Sequence, residues 1–145
     1  MIRNDKEYNE MQKRLESDRK FLQLQRDSLI EMKLTEEQIE RAMAPALSFY
    51  EQLREEIEYY EKIKRGEFEA IKNLEGLGRT LIGIRIALGI NQKELAQKLN
   101  VSEGQISKDE RNEYHGITLE KAQRILDALG VTLTTKVEYM PEKIA

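Results

Sequence analysis

The stretch from Asn91 to Arg111, NQKELAQKLNVSEGQISKDER, limits what this chain can fold into more than any other part of it. It reads as two short helices joined by a tight turn, a geometry that sets a helix in the major groove of DNA. Asn91 is a good N-cap, and Glu94 three residues on completes a capping box. Ser102 with Gln105 repeats the device at the start of the second helix. Leu95, Ala96, Leu99, Val101 and Ile106 form an apolar set on the faces that must meet, with Ala96 small enough for a close crossing. Asn100 stands at the corner, where a positive φ is usually needed and Asn tolerates it.

Composition sets the frame for that motif. One or two small domains fit 145 residues. Charged residues make up 35% of the chain and the mean hydropathy is -0.68, which implies much solvated helix surface. Two prolines and eight glycines argue against disorder or a β-sandwich. Without cysteine there is no disulfide or thiolate metal centre, and with no signal-like or membrane-length apolar run the expectation is a cytoplasmic protein away from membranes. The net charge of -3 excludes a strongly basic coat for nucleic acid. DNA binding therefore has to come from a local cationic face and specific contacts, doubled by dimerisation.

Residues 1–66 predict a long antiparallel helical hairpin with coiled-coil character. Tyr8, Met11, Leu15, Leu22, Leu29 and Met32 fall in a three-four spacing. Thr35 with Gln38 caps a second helix, striped by Ile39, Met43, Ala46, Tyr50, Leu53, Ile57 and Tyr60. Each helix would run about 40 Å at a 1.5 Å rise per residue. Pro45 predicts a kink or a break near Ala44, and Gly66 a stop. The stripes fit a seam inside one hairpin and pairing with a second molecule equally well. Residues 67–72 read as a short extended linker. Residues 73–130 read as the helix-turn-helix domain, opening at an Asn73 cap and including a helix from Thr118 to Gly130. Residues 131–145 read as a strand and tail, from the alternation of Val131, Leu133, Thr135, Val137 and Tyr139.

Arg85, Asn91-Gln92, Glu94-Leu95-Ala96, Leu99, Val101-Ser102, Ile106-Ser107, Glu110 and Leu126 to Val131 resemble the Xre family. This is the helix-turn-helix class that includes the lambdoid phage repressors. The resemblance implies a mainly α fold, with a four- or five-helix lambda-repressor-like domain after the hairpin and a short C-terminal β-strand. The chain is also similar to a subset of Xre-type regulators whose N-terminal hairpin begins Met-Ile-x-Asn, several of which look like antitoxins. The resemblance implies that Glu103, Gly104, Gln105, Ser107 and Lys108 face the bases, with Ser102, Arg111 and Asn112 at the helix ends. It also implies that Gln92 clamps a phosphate. Gln105 suits adenine, Lys108 guanine and Glu103 cytosine N4. Arg85 and Glu110 correspond to an ion pair that anchors the recognition helix. Two positions depart from the family pattern. Asp109 stands where an apolar residue is usual, and Asn112 where glycine is. A buried Asp without a partner would be costly, and Tyr114 is the candidate for the missing apolar slot.

His115, the lone histidine, has no second ligand or orienting partner in sequence reach, and the Glu55–Glu58 run reads as a solvated face. No nucleophile with a base, metal-ligand cluster or phosphate-cradling loop is visible, so no enzyme activity, cofactor or metal is expected. Two functions remain. One is a dimeric, sequence-specific regulator on an inverted-repeat operator in double-stranded DNA. The other is an antitoxin or interaction module whose hairpin neutralises a toxin-like partner protein, with DNA binding autoregulatory or vestigial. The implied ion pair is open to test: a double-mutant cycle on Arg85→Ala and Glu110→Ala in urea unfolding should show clear coupling, and strict additivity would rule the pair out.

Overall fold

The computed structural model describes residues 1–143, in which six α-helices and no strand are found. They run α1 (Asp5–Glu31), α2 (Glu36–Lys64), α3 (Leu77–Ala87), α4 (Gln92–Leu99), α5 (Glu103–Arg111) and α6 (Leu119–Leu129). The chain divides into two compact units, Met1–Asn91 and the part from Gln92 onward.

In the N-terminal unit, Asn4 caps α1 by accepting from the Glu7 N–H at 2.8 Å. Thr35 and Gln38 make the full reciprocal capping box that starts α2. The turn between them folds α2 back along α1, and Leu22, Ile39 and Met43 bury one seam with Leu29, Leu34, Ala46 and Tyr50 packed around it. At the open end the Tyr8 and Tyr60 rings stack at 5.1 Å. Tyr8 donates its hydroxyl hydrogen to Glu61 and Tyr60 to Asp5, both at 2.7 Å, so each tyrosine ties one helix to the other. The Tyr60 hydroxyl, then Lys64, hold the Asp5 carboxyl below its ordinary range, while burial and Asp5 push the Tyr60 phenol up.

Two expectations for this unit change. Pro45 does not break α2, which runs unbroken for 29 residues. The proline faces solvent while buried Met43 and half-buried Ala46 hold the helix to α1 on either side. Nor does α3 open at Asn73. Asn73 (φ 53°) and Gly76 (φ 79°) are both left-handed, so the helix cannot start before Leu77, and Leu74 is left exposed. α3 then packs closely on the end of α2. A Cβ on Gly83 would lie 2.9 Å from Ile63 Cδ1 and 3.0 Å from Phe68 Cε1, so glycine is what permits the approach.

In the second unit α4 packs on both α5 and α6. Leu95, Ala96, Ile106, Tyr114, Ala122, Ile125, Leu126 and Leu129 are its buried apolar residues. Thr118 caps α6 through the Lys121 N–H, and Gly130 (φ 68°) ends it, with the Val131 N–H reaching the Leu126 carbonyl at 3.1 Å. The expected C-terminal strand does not form. Val137 and Tyr139 are 79% and 82% exposed, and no described residue from 131 to 143, nor from 67 to 71, is in a strand. Alternation suits a strand, but its N–H and C=O groups need a neighbour to bond, and none is present among the described residues. Residues 144–145 of the expected tail lie outside the described residues.

The hairpin seam yields a stability prediction. Met43→Ala, at a site 3% exposed, should cost about 2–5 kcal/mol in urea unfolding. Gln52→Ala, at an exposed site on the same helix, should stay within about 0.5 kcal/mol.

Candidate nucleic-acid interface

The corner between α4 and α5 is built from backbone first. Asn100 adopts φ 56°, and the Val101 N–H bonds to the Ala96 carbonyl at 3.0 Å, closing α4 with a left-handed cap. Ala96 and Ile106 are 3% and 1% exposed, so the two short helices meet through a small residue and a branched one. The Ser102 hydroxyl oxygen accepts from the Gln105 N–H at 3.1 Å and starts α5. Only half of the predicted second capping box forms, because the Gln105 side chain donates instead to Asp109 Oδ1 at 2.9 Å.

With Ile106 and Glu110 turned inward, the remaining face of α5 is open. Ser102, Glu103, Gly104, Gln105, Lys108, Arg111 and Asn112 are exposed and Ser107 is half-buried. A Cβ on Gly104 would meet nothing nearer than the Ser102 hydroxyl at 4.0 Å, so packing does not require glycine there. Gln92, half-buried at the first turn of α4, donates through Nε2 to Glu110 Oε1 at 3.2 Å. Glu110 is 1% exposed and Arg85 4%, and they are the buried charged residues of the described chain. Within its own unit Arg85 donates to the carbonyls of Ile90 at 2.8 Å and Arg3 at 3.2 Å. The part played by Arg3 carried no signal in the sequence, since it lies 82 residues away.

Both departures from the family pattern find a physical solution. Asp109 is partly buried but fully engaged, with Lys121 Nζ donating to Oδ2 at 2.7 Å and Gln105 to Oδ1. Asn112 ends α5 at φ -87°, and the left-handed residues are the next two, Glu113 (φ 51°) and Tyr114 (φ 53°). The Tyr114 N–H returns to the Asp109 carbonyl at 2.8 Å, and its ring is 5% exposed, within the core. His115 is exposed. Among the described residues no cluster of three or more His, Cys, Asp or Glu is placed to hold a metal ion, and no helix is long and apolar enough to cross a membrane.

A capped pair of short helices joined at a tight corner, with the second helix's outer face polar and open, has the geometry of a helix-turn-helix. Residues 82–136 match the helix-turn-helix family, which supports the Xre-type, lambda-repressor-like reading of this segment and DNA as its partner. No curated protein and no solved structure was found to match the chain.

Proposed function

We propose that the protein is a transcriptional regulator that binds a specific sequence in double-stranded DNA as a two-fold dimer, with α5 in the major groove. The observation that carries this reading is the exposed, capped face of α5, which offers Gln105, Ser107 and Lys108 on a helix held from behind by Ile106. Gln105 bonds an adenine edge, Lys108 reaches guanine O6 or N7, and Glu103 accepts from cytosine N4. Gly104 lets the backbone come close. Ser102, Arg111 and Asn112 lie at the two ends of the helix, where phosphates pass. Gln92 gives one amide hydrogen to Glu110 and keeps the other for a phosphate, beside the first backbone N–H groups of α4. The action is binding in the cytoplasm, with no cofactor.

Dimerisation follows from what one such domain lacks. A single reader covers a half-site, and a chain of net charge -3 has little non-specific affinity to make up the difference. The hairpin offers a surface for the second copy. Phe21 and Leu24 of α1 and Phe49 of α2 are 63%, 69% and 71% exposed, apolar area that the internal seam does not use. The same area favours the second reading, in which the hairpin grips a toxin-like protein and DNA binding serves autoregulation.

Footprinting over the DNA upstream of its own reading frame tests the first reading. Gln105→Ala and Lys108→Ala should each weaken the protected site by about 1–3 kcal/mol, whereas Gln92→Ala should weaken all sequences evenly. Unchanged footprints for both reader variants would refute α5 as the reading helix.

Light scattering on the full chain tests the dimer. The full chain is the right material, because α3 packs against Ile63 at the end of α2, and a cut at residue 67 would strip that surface away. A dimer that Phe21→Ser with Leu24→Ser dissociates supports the hairpin interface. A wild-type monomer at micromolar concentration refutes dimerisation, and a dimer that survives both substitutions leaves the hairpin to another partner.

A further inference from the structure

We propose that Asp109 is a positioning residue for base selection: it fixes the amide orientation of Gln105, and Lys121 of α6 holds it in place. The inference rests on the reading of α5 as the recognition helix. Three side chains form one chain of hydrogen bonds, from Lys121 Nζ to Asp109 Oδ2 at 2.7 Å and from Gln105 Nε2 to Asp109 Oδ1 at 2.9 Å. Gln105 and Asp109 stand four residues apart on one helix, the spacing at which such side chains meet. Asp109 is mostly covered while Gln105 is exposed, so the anchor lies behind the reader.

The chemistry of the amide makes the anchor selective. A free glutamine amide can turn over and present either its oxygen or its two hydrogens to a base. A carboxylate only accepts, so Asp109 takes the NH₂ end and commits the group to one orientation. What remains on the outside is the carbonyl oxygen and one N–H. Adenine offers a donor at N6 and an acceptor at N7, which match that pair. Guanine offers two acceptors, O6 and N7, and would leave the oxygen facing an acceptor. The anchor therefore favours adenine over guanine, and it spares the long side chain from being ordered only on binding. Removing Asp109 leaves no buried charge stranded, because the Lys121 side chain is 38% exposed.

The test uses the full-length protein and double-stranded oligonucleotides that the wild type enriches from a random pool. Gln105→Ala identifies the base pair this side chain reads. Asp109→Leu should then lose about tenfold of the adenine-over-guanine preference at that same base pair, with the rest of the site still recognised. Adding Gln105→Ala to Asp109→Leu should remove little more preference there. Asp109→Asn keeps an acceptor for the amide and should retain more of the preference than Asp109→Leu, a rescue that a purely structural role would not give if both variants melt alike. If Asp109→Leu misfolds, Asp109→Asn and Lys121→Met carry the test, each with a smaller loss confined to that position. Full wild-type preference in a folded Asp109→Leu, or losses spread evenly over the site, would overturn the anchor alone. A wild-type protein that enriches no sequence would overturn the reading of α5 as well.

Discussion

Five of the six described helices stop on the same backbone device, and every change of direction after the hairpin turn depends on it. A residue in the left-handed region ends the helix, and the next N–H reaches the carbonyl five residues earlier. Glu67 reaches Lys62 across Gly66, Ile90 reaches Arg85 across Gly89, and Val101 reaches Ala96 across Asn100. Tyr114 reaches Asp109 across Glu113, and Val131 reaches Leu126 across Gly130. Helices of 8 to 11 residues are too short to be stable by propensity alone, so where they stop and how the chain leaves them decides whether their apolar faces can meet. The corner at Asn100 is the functional instance. It releases the chain so that Ser102 can cap α5 with Ile106 inward and Gln105 and Lys108 outward.

The polar groups behind α5 do a second job. Glu110, buried and holding Gln92, and Asp109, holding Gln105 and Lys121, are acidic residues on the helix proposed to approach phosphates. Taken singly they look hostile to DNA. Bonded as they are, each carboxylate is turned toward protein donors, while Lys108 and Arg111 keep their charge on the exposed side. With a chain of net charge -3, attraction to any DNA is weak and most of the affinity has to come from fitted contacts. Fixed side-chain geometry is worth more in that regime, because nothing else compensates for a misplaced donor.

The hairpin was legible to the extent that its residues act locally. Thr35 and Gln38 announce a capping box from their spacing alone, and Leu22, Ile39 and Met43 share a seam because three-four spacing brings them to one side. Pro45 misleads, since the cost of one lost hydrogen bond is local while the packing of Met43 and Ala46 against α1 is not. The tail misleads in the opposite sense. Val131 to Tyr139 alternate as a strand should, yet strand formation depends on a neighbour that alternation says nothing about.

At the candidate site the chain itself determined the motif. Ser102, Ala96, Asn100 and Ile106 each favour one local conformation, and these agree, so the turn and both helices follow from residue type and spacing. Gly66, Gly89 and Gly130 mark helix ends for the same reason, because without a Cβ they enter the left-handed region at little cost. Only the folded structure decided the rest. Glu113 and Tyr114 occupy that region against their own preference, because burying the Tyr114 ring outweighs the backbone cost. Asp109 found Lys121 twelve residues away on another helix, and Gln105 turned from its expected capping partner to Asp109. Propensity is set by neighbours in sequence. Which carboxylate meets which cation is set by packing that brings distant turns together.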